Sequence, residues 1–122
     1  MTPNLPRRKI TWDEIVNTIR ELGNRLEDGS KIWGIPRNGL IIVGIMAHQN
    51  PSLKLQVCET PRPGAIIVDD IYDTGKTLER YTSLGFTTAS LYWRENCDNR
   101  KPNIFVDIVE DDSWLDFPWE IR

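Results

Sequence analysis

Apolar residues along this chain switch between helical spacing and short unbroken runs, and the alternation predicts the order of elements. Trp12, Ile15, Val16, Ile19, Leu22 and Leu26 recur every three or four positions, the period of one apolar helix face. Thr11, Trp12, Asp13 and Glu14 lead into them as a capping box, in which a hydroxyl takes a free N–H and the acid three residues on returns the bond. A helix over 12–27, stopping near Gly23 or Gly29, is expected to cover one face of a sheet. Short apolar runs follow at 31–35, 53–58, 65–68, 87–93 and 104–109. Runs without alternation suit strands buried on both faces, as in a parallel sheet. Further helices are expected at 40–49 and 76–84. Strands alternating with helices predict an α/β fold: a parallel sheet flanked by helices, with right-handed crossovers. Pro51, Pro61, Pro63 and Gly64 punctuate the connections without leaving an interdomain linker, so 1–122 reads as one domain.

Composition narrows the function classes. A net charge of −3 over 122 residues argues against a general nucleic-acid surface, which rests on clustered Lys and Arg. Arg7, Arg8 and Lys9 form only a small basic start, expected to be a flexible, solvated tail. Cys58 and Cys97 lack metal-site or redox spacing, which fits reduced thiols in a cytoplasmic protein. The sole histidine, His48, falls late on an apolar helix, where a surface position is expected. The polar, proline-bearing start is unlike a signal peptide, and the longest apolar stretch, 40–47, is too short to cross a bilayer. That stretch is apolar nearly all round, which suits a helix buried on several sides or at a subunit contact.

The most informative run is 65–77, reading AIIVDDIYDTGKT. A buried strand empties into Asp69, Asp70 and Asp73, then into a turn of Thr74, Gly75, Lys76 and Thr77 at the start of a helix. Open α/β sheets hold ligands in the crevice beyond such strand ends. The turn supplies hydroxyls, a closely approachable backbone and a cation, which suit a phosphate monoester. The paired acids suit ribose hydroxyls, or Mg²⁺ reached through water. The ending GKT is not a nucleoside-triphosphate loop, because the position of its first glycine holds Asp70. An EF-hand fails as well, for want of alternating ligands and a distal glutamate. The plain alternative is an acidic turn capping a helix.

The run 68–77, VDDIYDTGKT, resembles the phosphoribosyl-pyrophosphate loop of type I phosphoribosyltransferases. The resemblance implies that Asp69 and Asp70 bind the ribose diol of the donor, that Asp73 lies by the base, and that Thr74, Gly75, Lys76 and Thr77 grip the 5′-phosphate. Pro36, Arg37, Asn38 and Gly39 follow the strand at 31–35 and resemble the family's diphosphate turn, commonly Ser-Arg-Gly-Gly, with Arg37 at the arginine. Pro36 and Asn38 stand where small residues are usual. An arginine fork beside free amides suits a diphosphate leaving group, although Arg-Asn-Gly also makes an ordinary surface turn.

The stretch 112–120, DSWLDFPWE, resembles the hood that covers the base in the xanthine-guanine members, within a hood region at 94–122. The resemblance puts Trp114 in the place of the stacking aromatic, Leu115 where backbone groups meet the base edge, and Glu120 near an exocyclic amine. The other reading makes Trp114, Phe117 and Trp119 a hydrophobic clasp, since some of five tryptophans must simply pack. Arg94 occupies the place of a lysine that donates to the base carbonyl in the 6-oxopurine members, or it is a solvated charge at a strand end. A mobile lid lies between the second and third strands of the family, where this chain has only 59–64.

The function implied is transfer of ribose 5-phosphate from phosphoribosyl pyrophosphate to a purine-type base, with Mg²⁺ held by Asp69 and Asp70 through water. Asp73 and Arg37 are the expected catalytic residues, with Asp73 orienting the base nitrogen or accepting its proton. The expected partners are those two substrates and further copies of the chain, with no nucleic acid or membrane. A nonenzymatic donor sensor that has lost its lid is the rival reading, and the acidic balance disfavours an RNA-binding regulator.

Overall fold

In the computed structural model, residues 6–95 and 100–120 are described. Cys97 and parts of the hood region (96–99 and 121–122) lie outside them. Five parallel strands form the sheet, in the order β3-β2-β4-β5-β6: β2 is Lys31–Gly34, β3 Gln56–Val57, β4 Ile66–Tyr72, β5 Thr87–Arg94 and β6 Ile104–Val109. Helix α1 (Trp12–Asn24) and helix α2 (Asn38–Gln49) pack together on one face and α3 (Lys76–Thr82) on the other. Ile66, Ile67 and Val68 alternate between the two cores, which is why the strand is apolar at successive positions.

The chain leaves β2 toward one edge and β4 toward the other. Their carboxyl ends therefore flank the point where the winding reverses, and a crevice opens there.

Helix α1 begins as the sequence predicts, with Thr11 Oγ1 accepting the Glu14 N–H at 3.1 Å. The reciprocal half of the box is absent. Glu14 Oε2 instead accepts from Tyr92 Oη at 3.0 Å and Arg8 Nη2 at 2.7 Å. Ile15, Ile19 and Leu22 are fully buried beneath it. The helix ends at Asn24 rather than 27, and a turn bond from Leu26 N–H to the Gly23 carbonyl still carries Leu26 into the core. Helix α2 buries Ile42, Val43 and Met46, packs Ile45 against the same core and leaves Leu40 about half exposed.

Two expectations are corrected at the sheet edges. The segment 53–58 is mostly not a strand: a 3₁₀ turn at Pro51–Leu53 and a left-handed Lys54 leave only two residues to pair with β2. Arg7–Lys9 is not a flexible tail. It forms β1, which pairs in parallel with β7 (Trp114–Asp116), and Arg7 Nη1 donates to Asp116 Oδ1 at 2.8 Å. Fully buried Ile10 anchors this strand, so the N-terminal segment supports the hood. No helix among the described residues is long and apolar enough to cross a membrane.

Candidate active site

The acid pair lies within β4, not in the loop after it. The ladder with β5 continues past Val68 through Asp69↔Ser90 to Tyr72↔Trp93, because backbone pairing does not depend on side-chain polarity. Asp69 Oδ1 accepts the Asp70 N–H at 2.9 Å, and Asp70 Oδ1 accepts the Ile71 N–H at 2.8 Å. Burial, then the negative charge of Asp70, pushes the Asp69 carboxyl up from 3.8 to about 8.

This shift has a stability consequence. An acid whose folded pKa exceeds its unfolded one holds its proton more tightly when folded, so its contribution is present below about pH 4 and is lost as pH rises through 8. Thermal unfolding of the free protein is expected to move down between pH 5 and pH 9. The Asp69→Asn variant should flatten that decline, and an equally steep one would assign it to other groups.

The turn after β2 is pressed onto the end of β4. Ile35 N–H donates to the Val68 carbonyl at 2.9 Å, and a Cβ on Gly39 would lie 2.4 Å from that same oxygen. Only glycine allows this approach. The Pro36–Arg37 peptide is cis, and the exposed Arg37 caps α2. Pro36, Arg37, Asn38, Asp69, Asp70 and Glu120 line a cavity of about 370 Å³. Arg-Asn-Gly is therefore part of the crevice and not an isolated surface turn.

Beyond β4, a second cavity of about 200 Å³ is lined by Asp69, Asp70 and Asp73 together with Thr74, Gly75 and Thr77, whereas Lys76 does not line it. Gly75 has φ 87°, and a Cβ there would meet Tyr72 Oη at 2.6 Å. Buried Tyr72 donates to Glu79 Oε1 at 2.9 Å, and burial lifts its pKa to about 12. This floor shapes the turn, and the sequence reading missed it.

A third cavity of about 260 Å³ lies under the hood, lined by Asn38, Asp70, Asp73, Arg94, Trp114, Leu115 and Glu120 with Ile71 and Phe117. Trp114 is about half exposed along this wall, while Phe117 and Trp119 stack at 5.4 Å with planes 4° apart. Trp114 and Phe117 both border this cavity, whereas Trp119 packs behind Phe117. Trp114 N–H donates to Pro6 O and Asp116 O accepts from Ile10 N–H, so strand alternation puts the Leu115 N–H and C=O on the edge of β7 away from β1. Glu120 Oε1 accepts the Phe117 N–H at 2.9 Å and closes the turn.

Arg94 is not a solvated charge. Its Nε donates to Asp73 Oδ1 at 3.0 Å, its Nη1 to the Asp111 carbonyl and its Nη2 to the Ser113 carbonyl at 2.8 Å. The Ser113 hydroxyl and N–H also hold the Asp111 carboxyl below its usual range. Asp70 lines all three cavities, which makes them one crevice with the acid pair at its junction. Among the described residues, no cluster of three or more His, Cys, Asp or Glu could hold a metal by itself. The oxygen donors of Asp69 and Asp70 still fit a hydrated hard cation, whose charge would relieve their mutual repulsion.

No family model matches the chain. A purine phosphoribosyltransferase from Pyrococcus horikoshii superposes with a TM-score of 0.71 at 28% identity, covering 95% of each chain. The chain has the type I phosphoribosyltransferase fold. A xanthine-guanine-hypoxanthine phosphoribosyltransferase from Helicobacter pylori shares the fold with a TM-score of 0.74 at 17% identity over 94% of each chain. The xanthine-guanine phosphoribosyltransferase of Vibrio parahaemolyticus is 25% identical over 92% of this chain and 88% of its own length. Trp33 Nε1 holds the link 59–64 beside β2 by donating to the Glu59 carbonyl at 3.2 Å. His48 is exposed near the end of α2 and lines none of the three cavities.

Proposed function

We propose that this chain transfers ribose 5-phosphate from phosphoribosyl pyrophosphate to a purine-type base, giving a nucleoside monophosphate and pyrophosphate. The observation that carries the reading is the junction at Asp70, where one carboxylate borders a phosphate-sized turn, an arginine-lined cavity and an aromatic-walled cavity. A pentose at that point would reach all three with its 5′-phosphate, its diphosphate and the incoming base.

In this arrangement Asp69 and Asp70 hold the ribose diol, Thr74, Gly75, Lys76 and Thr77 take the 5′-phosphate, and Arg37 with the amides of Asn38 and Gly39 takes the diphosphate. As the bond from the anomeric carbon to the diphosphate oxygen lengthens, positive charge grows on the sugar beside the acid pair. The base nitrogen closes on the same carbon from the hood side, and Asp73 orients that nitrogen or accepts its proton. Leu115 offers its free N–H and C=O to the base edge, Glu120 an acid for an exocyclic amine, and Arg94 a remaining N–H for a carbonyl. Mg²⁺ bound with the donor, held by Asp69 and Asp70 mainly through water, would supply charge neutralisation for the leaving diphosphate.

Trp114 is the aromatic wall of the base cavity. Trp114→Ala is expected to raise the base KM about tenfold or more, the loss of one base–indole stack, with donor affinity unchanged. Steady-state kinetics at saturating donor read this directly.

The reading extends to a cytoplasmic purine-salvage enzyme that self-associates, with the exposed Leu40 side of α2 as the apolar surface available for it. Calorimetry with phosphoribosyl pyrophosphate and Mg²⁺, then mass detection of nucleotide after addition of each purine base, tests the proposal. Nucleotide formed from a purine supports it. Donor binding without product from any base would make the protein a sensor instead.

A further inference from the structure

Asn38 lies between the hood and the acid pair. Trp119 Nε1 donates to Asn38 Oδ1 at 3.0 Å, and Asn38 Nδ2 donates to Asp70 Oδ2 at 2.9 Å. Chemistry dictates the orientation of the carboxamide: an indole N–H only donates, so the amide oxygen faces Trp119 and the NH₂ faces Asp70. With the Ile71 N–H on its other oxygen, the Asp70 carboxylate is gripped from two directions.

Trp119 lines none of the three cavities. It is held by the stack on Phe117 and by an edge contact with Trp12 at 6.1 Å, so its indole N–H reports where the hood sits. A small residue at position 38, usual in the diphosphate turn that this one resembles, could not make the bridge.

We propose that Asn38 is a positioning residue that transmits the placement of the hood to Asp70, so that the geometry of the base side sets affinity for the sugar donor. The inference rests on the donor-binding role given above to the acid pair. It differs from a direct role for the Asn38 side chain on the diphosphate, in which loss of the Trp119 N–H would leave donor affinity unchanged. A part-buried bridge of this kind couples its two ends, and removing either end should have most of the effect of removing both.

The test is a double-mutant cycle of Trp119→Phe and Asn38→Ala, with donor affinity measured by calorimetry in Mg²⁺ and kinetics at saturating base. Trp119→Phe is expected to raise the donor Kd and KM about fivefold when Asn38 is present and less than twofold when it is absent, with kcat within twofold. Equal factors in both backgrounds, or no change on Trp119→Phe, would overturn the relay and leave Asn38 as a direct ligand. If the phenylalanine variant does not fold, a benzothiophene side chain at position 119 keeps the ring shape and removes only the N–H. A wild-type protein that binds no donor would refute the functional reading itself, before the relay is tested.

Discussion

Asp73→Asn is expected to lower turnover about a hundredfold or more while donor affinity stays within about threefold, the range for loss of a positioned acid–base group. Asp73 borders both the base cavity and the phosphate cavity, and the Arg94 fork fixes its direction at 3.0 Å. Asparagine keeps an oxygen for Arg94, so the change removes charge and basicity without dismantling the link to the hood. In the proposed function the donor contacts fall to Asp69, Asp70 and the turn at 74–77, which are untouched. Single-turnover kinetics and calorimetry on the purified variant separate the two effects. Unchanged turnover would remove Asp73 from the reaction.

The largest stability loss is expected from Gly34→Ala, at more than about 3 kcal/mol, because overpacking against backbone cannot be relieved by a rotamer change. Its Cβ would stand 2.1 Å from the Gly39 carbonyl oxygen, and relief would require moving the turn that carries Arg37 and Asn38. Denaturant unfolding should show the loss, and donor affinity should fall with it. Gly44 supplies the contrast, since nothing lies within 4 Å of a Cβ there. Gly44→Ala is expected to leave stability unchanged or raise it by about 0.5–1 kcal/mol, the propensity difference inside a helix. Equal stability of the Gly34 variant would mean that this turn is not wedged against the end of β2.

The parts legible in the sequence are those whose determinants are local. Four apolar residues before Asp69, a glycine at the one left-handed position of the phosphate turn, and a helix starting at Lys76 lie within a dozen positions. The same holds for the turn at Pro36–Gly39 and for the helix begun by Thr11, whose signals are the spacing of apolar residues and a cap. What local pattern misjudged was where pairing stops: β4 runs through both acids because β5 is there to pair with them.

Sequence alone settled the helices begun at Thr11 and Lys76, the central strands and their order, because each depends on neighbours along the backbone. Only the tertiary structure decided that Arg7–Lys9 is a strand under the hood, that Arg94 joins Asp73 to two main-chain carbonyls, and that Asn38 ties Trp119 to Asp70. These partners lie between 17 and 109 residues apart. A charged or amide side chain with no partner in sequence is equally suited to solvent and to a distant hydrogen bond, and the fold alone brings that distant group within reach.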